Sequence, residues 1–269
     1  MKYISLNEQT QIPIIGSGTN TFGKVGRQYQ APLNHDTSEI ISAISLGYRH
    51  FDTAVSYRNE SVLGLAIEES VVPREDLFIT SKIPTREPYL ESNAMIHEVI
   101  QGSLEALQTD YIDLYLIHKP TNNMDEMLNL WHILEEYYKK GTFKAIGVSN
   151  FHEAQLQYLI EHATTPPMVN QIESHPGHWQ DDLIAFCQQR GIVVEAWGPL
   201  TNISDEAKDV LQDIGAKHEK SWAQIALKYQ IQRDVVVIPK SHNPENQAAN
   251  LLLFDFELTP EEIERISAL

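Results

Sequence analysis

Gly16-Ser17-Gly18-Thr19-Asn20-Thr21-Phe22-Gly23 is the stretch on which the fold turns. It follows the apolar pair Ile14-Ile15, where a first strand would give way to its loop. A doubly wound sheet that binds a dinucleotide needs Gly-x-Gly-x-x-Gly here, because the glycines let the backbone close on a pyrophosphate and let the helix pack on the strand. Thr21 stands at the third glycine position, and the next glycine is Gly23. The doubly wound sheet is therefore disfavoured against another parallel α/β architecture.

Outward from this point, short β-branched runs alternate with longer segments of helical spacing, the pattern of βαβ units. After the early strand at 14–18, strands are expected at 48–53, 77–80, 112–117, 144–148, 168–171, 192–196 and 235–238. Helices are expected between them. Asp36 with Glu39 reads as a capping box before Ile40, Ile41 and Ile44, and Gly47 is the stop. Ile96, Val99, Ser103 and Leu107 share one helical face; Met127, Trp131, Leu134 and Tyr138 share another that ends at Gly141. Ser221 with Gln224 is a second capping box. About eight βα units of roughly thirty residues are what a closed (β/α)8 barrel, the TIM barrel, requires. One domain over residues 1–269 is the expected organisation.

Composition agrees. The chain has 269 residues, 42% of them hydrophobic, and 37 acidic against 20 basic residues give a net charge of -17. That balance argues against nucleic acid and anionic membranes as partners. No apolar run approaches the ~20 residues of a membrane span, and the start lacks the apolar stretch of a signal peptide. The single cysteine, Cys187, excludes a disulfide framework and reads as a packing residue on a helix. A cytoplasmic location is expected.

Active sites of such barrels lie at the C-terminal ends of the strands. Asp52 ends one run, Tyr57 follows it, Lys82 follows Phe78-Ile79-Thr80-Ser81, and His118 ends Leu114-Tyr115-Leu116-Ile117. Singly, these read as a turn cap, a rim phenol, a solvated lysine and a structural histidine. Together at one mouth they suit carbonyl reduction, in which hydride addition creates an alkoxide that needs a proton. Tyr57 is the natural donor, with Lys82 expected to lower its pKa and Asp52 to keep the lysine charged. His118 would polarise the carbonyl oxygen.

At these residues the chain resembles the aldo-keto reductase family. The matching segments are Phe51-Asp52-Thr53-Ala54-Val55-Ser56-Tyr57-Arg58-Asn59-Glu60, Leu116-Ile117-His118-Lys119-Pro120, Gly147-Val148-Ser149-Asn150-Phe151 and Ile238-Pro239-Lys240-Ser241, in order from about Ile12 to Leu258. The resemblance implies a cytosolic reductase of small aldehydes or ketones using NADP(H), with NAD(H) as the alternative. It places Asp52, Tyr57, Lys82 and His118 as the catalytic tetrad. Ser149, Asn150 and Gln171 would hold the nicotinamide carboxamide, and Trp197 would stack on its ring. Gly198, Pro199 and Leu200 would pass the pyrophosphate, with Thr19 and Asn20 nearby. Lys240, Ser241, Asn246 and Asn250 fall at the adenosine end.

Departures from the family pattern matter as much. Asn246 stands where many members carry an arginine against a 2′-phosphate, and Ala249 where an acidic residue often lies. Preference for NADPH over NADH is expected to weaken, with Lys240 as the remaining charge. Asn20 stands in place of a pocket aromatic, for which Phe22 is a substitute, and Tyr89 and Trp179 are candidates for the pocket wall. No long C-terminal loop follows Thr259-Pro260-Glu261-Glu262, so an open pocket is expected. Two other readings fit parts of the sequence: a non-catalytic nicotinamide-binding or redox-sensing subunit, and a metal hydrolase built on His50, His118, His175 and His178, in which Lys82 would oppose the cation.

Overall fold

The computed structural model describes residues 1–269. A hairpin of β1 (Tyr3–Ser5) and β2 (Gln11–Pro13) precedes eight parallel strands: β3 (Ser17–Gly18), β4 (His50–Asp52), β5 (Phe78–Ile83), β6 (Ile112–Ile117), β7 (Phe143–Ser149), β8 (Val169–Glu173), β9 (Val193–Trp197) and β10 (Val236–Val237). Consecutive strands pair in sequence order, and a parallel bridge between Ile15 and Val237 joins the last to the first. Gly16 N donates to Val237 O at 2.9 Å and Val237 N to Ile14 O at 3.0 Å, which closes the ring. The (β/α)8 barrel is thus the fold.

Ten helices surround it: α1 (Ser38–Leu46), α2 (Glu60–Glu69), α3 (Asn93–Leu107), α4 (Met124–Lys139), α5 (Glu153–His162), α6 (Asp181–Gln188), α7 (Asp205–His218), α8 (Trp222–Gln232), α9 (Pro244–Leu251) and α10 (Pro260–Ser267). None is long and apolar enough to cross a membrane. The apolar stripes face the strands: Ile96, Ile100, Ser103 and Leu107 of α3 are buried, as are Met127, Trp131 and Leu134 of α4. Gly47 ends α1 with φ 110°, a left-handed conformation that costs glycine little. The capping box of α8 forms as expected, with Ser221 and Gln224 each bonding the other's backbone N–H.

At α1 the expectation needs correcting. Asp36 Oδ1 does accept the Ser38 N–H at 2.9 Å, but Glu39 does not close a box. Its carboxylate turns instead to Arg27 at 2.9 Å and His242 Nδ1 at 2.6 Å, where the guanidinium gives a charge-assisted contact that a backbone N–H does not match.

Side chains alternate along each strand, so every second residue enters the lumen. The lower lumen is apolar, filled by Ile12, Phe78, Leu114, Leu116, Ala145, Val169 and Val236. Two residues further along several of the same strands the inward positions turn polar: Phe78 gives way to Thr80 and Lys82, Val169 to Gln171, and Val193 to Glu195. The polar layer lies toward the C-terminal ends of the strands.

Candidate active site

Lys82 is fully buried near the end of β5, where an ammonium without partners would be very costly. Its Nζ donates to both carboxylate oxygens of Asp52 at 2.7 Å, to Thr53 O at 2.9 Å and to Tyr57 Oη at 3.4 Å. Burial alone would push its pKa down, but the Asp52 carboxylate beside it wins and holds it above the usual lysine value.

The loop carrying Tyr57 is fixed by residues whose purpose the sequence did not reveal. Asn59 Nδ2 donates to Thr19 O at 2.7 Å and Asn59 Oδ1 accepts from Thr53 Oγ1 at 3.0 Å, tying the loop after β4 to the loop after β3. Glu60 accepts from Ser81 Oγ at 2.6 Å. Between these anchors a single 3-10 turn, Val55–Tyr57, aims the phenol at Lys82.

The phenol itself departs from expectation. Lys82 does pull its pKa down, but burial pushes harder and Asp52 adds to it, so the net shift is up to about 12. Tyr57 is a neutral phenol throughout the physiological range. The imidazole of His118 meets it edge to face, with ring centroids 5.6 Å apart. Burial, with Lys82, Lys119 and Arg86 nearby, drives the His118 pKa down to about 3, so this ring is neutral too. Its Nδ1 is buried without a partner. A lone acceptor is tolerated there better than a lone N–H, which puts the proton on Nε2, toward the cavity.

Opposite, Gln171 on β8 sends Nε2 across the lumen to Asp52 Oδ2 at 2.8 Å, and the same nitrogen meets Glu195 Oε1 on β9. The Asp52 carboxylate fixes the amide's orientation, since it accepts from the amide nitrogen and would repel the amide oxygen. Its Oε1 accepts nothing from the protein. Glu195 is fully buried, and burial with the neighbouring Asp52 pushes its carboxyl up to about 8. Burial pushes Asp52 up as well, but Asp52 receives the ammonium of Lys82 directly and Glu195 does not. The shared proton accordingly rests on Glu195. Its Oε2 has no hydrogen bond and lies 3.7 Å from His50 Nε2.

A cavity of about 410 Å³ opens above these groups. Asp52, Tyr57 and His118 line it; Lys82 does not, but supports Tyr57 from beneath. Of the residues assigned to a cofactor, Thr19, Asn20, Ser149, Asn150, Gln171, Trp197, Gly198, Pro199, Leu200 and Lys240 border the same cavity. Asn150 takes a left-handed backbone with φ 61°, which asparagine tolerates, and this turns its side chain across the mouth. There Nδ2 donates to His118 O at 3.2 Å and Ser149 Oγ at 3.0 Å, and Oδ1 accepts from Trp197 Nε1 at 2.9 Å. Gly198 has φ +61°, and a Cβ there would lie 2.7 Å from Thr201 Oγ1.

Ser241, Asn246 and Asn250 lie outside the cavity lining. Ser241 Oγ accepts from Asn243 N at 3.1 Å, Asn246 is exposed on α9, and Asn250 is buried beneath that helix. Lys240 Nζ donates to Asn20 Oδ1 at 2.8 Å and Thr21 Oγ1 at 2.9 Å and has no carboxylate partner.

Two aromatic expectations are overturned. Phe22 is fully buried in the core against His242 and does not reach the pocket; Tyr29 takes that place, edge-on to Tyr57 at 6.0 Å. Nothing in the sequence marked Tyr29, which the loop after β3 brings back over the mouth. Trp179 packs against Tyr229 and donates from Nε1 to Ile266 O at 3.0 Å, so it belongs to the core under α7, α8 and α10. Tyr89 does stand at the rim of an adjoining hollow. The four histidines do not converge: His50 hydrogen-bonds Thr80 inside the lumen, while His175 and His178 pair across their own turn. A hollow of about 1020 Å³ at the opposite end, beside the β1–β2 hairpin, contains none of the tetrad and faces the ends of the strands that barrels use for stability.

A closed parallel barrel with a buried acid–lysine pair, a phenol and a neutral imidazole at its C-terminal mouth defines a class of carbonyl-reducing barrels. The chain belongs to the aldo/keto reductase family, whose profile matches residues 14–269. A glyoxal reductase of Bacillus subtilis is 44% identical over 236 residues, covering 88% of this chain and 84% of that protein. The crystal structure of an aldo/keto reductase from Brucella melitensis superposes with a TM-score of 0.89 at 35% identity, covering 99% of this chain and 98% of that one. That of a Bombyx mori aldo-keto reductase in complex with NADP does so with 0.86 at 34%, covering 99% and 92%.

Proposed function

We propose that this chain reduces small aldehydes and ketones to alcohols with NADP(H) or NAD(H), as one domain spanning 1–269, and that Tyr57 delivers the proton. The observation that carries this reading is the contact of a neutral Tyr57 with Lys82 at 3.4 Å, on the wall of a cavity that His118 shares.

The residues fit a nicotinamide. The free Oε1 of Gln171 matches the N–H donors of its carboxamide, Ser149 and Asn150 stand beside it, and the Trp197 ring gives a stacking face on the cavity wall. Gly198, Pro199 and Leu200 offer backbone for a pyrophosphate, and Lys240 an uncommitted charge near the adenosine end. Such a cofactor supplies the hydride that protein side chains lack.

The protein's own part is proton transfer and orientation. His118 Nε2–H and Tyr57 Oη–H both point hydrogens at one carbonyl oxygen, which draws negative charge onto that oxygen and fixes the exposed face of its carbon. A donor with a pKa near 12 keeps its proton until the alkoxide forms, and Lys82 then stabilises the phenolate left behind. Asp52 keeps the lysine charged while that happens. Cys187, buried and with its thiol pushed up to about 11, takes no part, and a lone reduced thiol suits the cytoplasm as the site of action.

The test is Tyr57→Phe assayed by loss of nicotinamide absorbance with a panel of aldehydes. General acids contribute about 10²–10⁴-fold, so kcat should fall at least a hundredfold with cofactor affinity retained. An unchanged rate would remove Tyr57 from the mechanism. Tight nicotinamide binding by the wild type with no turnover on any carbonyl would make this a non-catalytic binding barrel.

A further inference from the structure

Beside the cavity lies a second hollow of about 660 Å³ that shares Tyr29, His118 and Lys119 with it and continues outward past Arg58, Arg86 and Tyr89. Three of its lining residues are cations and none is an Asp or Glu. Acids outnumber bases 37 to 20 in this chain, so an acid-free hollow is not what an average patch of its surface would look like. Solvated surface arginines and lysines are common, but here they come without their usual partners. The ion pairs of the protein engage other residues. Arg58 touches only the Tyr29 carbonyl at 3.4 Å and Gln30 Oε1 at 3.3 Å; Arg86 rests 5.9 Å from the Tyr89 ring centroid. Lys119 has no side-chain hydrogen bond.

Placement ties these charges to the chemistry. Arg58 directly follows Tyr57 and Lys119 directly follows His118, so each group facing the carbonyl has a cation one residue on, its Cα about 3.8 Å away. The fields of Lys119 and Arg86 already reach the His118 ring. Lys240 and the stretch Gly198–Leu200 border the first cavity only, and Arg58 and Arg86 border the second only, so these two arginines are not needed for a dinucleotide.

We propose that the carbonyl compound reduced here carries an anionic oxygen group, a carboxylate or a phosphate, seated among Arg58, Arg86 and Lys119 while its carbonyl oxygen meets Tyr57 and His118. The inference rests on the reductase reading and names its substrate class. It requires a short spacing between carbonyl and anion, as in oxo acids and phosphorylated aldoses, because the cations flank the catalytic groups.

Matched pairs test it: the oxo acid 4-oxobutanoate against its methyl ester for the carboxylate arm, and glyceraldehyde 3-phosphate against glyceraldehyde for the phosphate arm. The readout is the ratio of kcat/KM between anionic and neutral members at low and high salt. At low salt the wild type should favour the anion about tenfold or more in at least one arm, a preference that shrinks as salt screens the charges. Lys119→Met, Arg58→Met and Arg86→Met should each cut the ratio a few-fold, the triple variant should bring it near one, and Lys119→Arg should restore most of it. The arm that responds assigns carboxylate or phosphate. Equal or better turnover of the neutral members, or a ratio indifferent to salt and to the three substitutions, overturns the inference while leaving the reductase standing. Failure of the wild type to reduce either member of any pair overturns both.

Discussion

At the Tyr57 end of the groove, Asp52, Lys82, Gln171 and Glu195 come from four strands and hold one another across the lumen. At the Lys240 end the candidate residues sit on the last loop and α9, and Lys240 bonds to two side chains of the loop facing it. The first region is over-determined: each polar group is buried and loses its partners if one is removed. Asn250 apart, which is buried, the second is loosely held and solvated, so Lys240, Ser241 and Asn246 can change without disturbing the fold. The difference shows where the barrel demands fixed geometry and where it needs only attraction.

The largest effect should follow from cutting the interlocked region. Lys82→Met leaves Asp52 buried without its cation, and removing one partner of a buried pair costs about 3–5 kcal/mol. Urea unfolding should report that loss, and the double variant Asp52→Leu/Lys82→Met should recover part of it; a loss below 1 kcal/mol would mean that water reaches the pair.

A smaller effect concerns the proton on Glu195. Its carboxyl titrates near 4.5 in the unfolded chain and about 8 when folded, so the folded protein holds the extra proton between those values. Stability from this group is complete below pH 4.5 and is lost as pH rises through 8. His50 and His118, both held down to about 3, lose stability only as pH falls below 6.5, whereas Lys24, held down to about 8, contributes a smaller rise in stability as pH climbs from 7. Between pH 7 and 8 the wild type should therefore lose up to about 1 kcal/mol, and Glu195→Gln should stay level or rise slightly. Parallel slopes would place the proton on another group.

The smallest effect belongs to the loose end. Lys240→Met should weaken NADPH binding a few-fold and NADH less, as befits one exposed point charge, and the gap should close at high salt. A loss of a hundredfold would reveal a built phosphate site there and erase the contrast between the ends.

Legibility in the sequence followed the same division. The strand expected at 112–117 coincides with β6, and the neighbouring strands differ by one to three residues at their ends, because buried parallel strands are continuous apolar runs. Asp52, Tyr57, Lys82 and His118 were readable because each ends or follows such a run. The β1–β2 hairpin was not: strands of three residues are too short to show a period. Nor was α7, whose inward side chains Ala207, Leu211 and Ile214 are scattered among charges. Glu195 is silent in the sequence because one acid in an apolar strand shows nothing of what lies across the lumen. Tyr29 and the true place of Phe22 depend on the path of a loop, which residue spacing does not encode. Burial reversed the expected shift of Tyr57 for a similar reason, since sequence names the neighbouring ammonium but not the depth.

The ring of strands has a joint. β3 and β10 contribute two residues each, and the hydrogen bonds between the first and last strands are few, with Gly18 N reaching Pro239 O at 3.3 Å. Asn20 lies on one side of this joint and Lys240 on the other, already in contact. A ligand that touches both would work on the barrel as a buckle works on a belt, adding its own binding free energy to the closed form of the ring where the ring is thinnest.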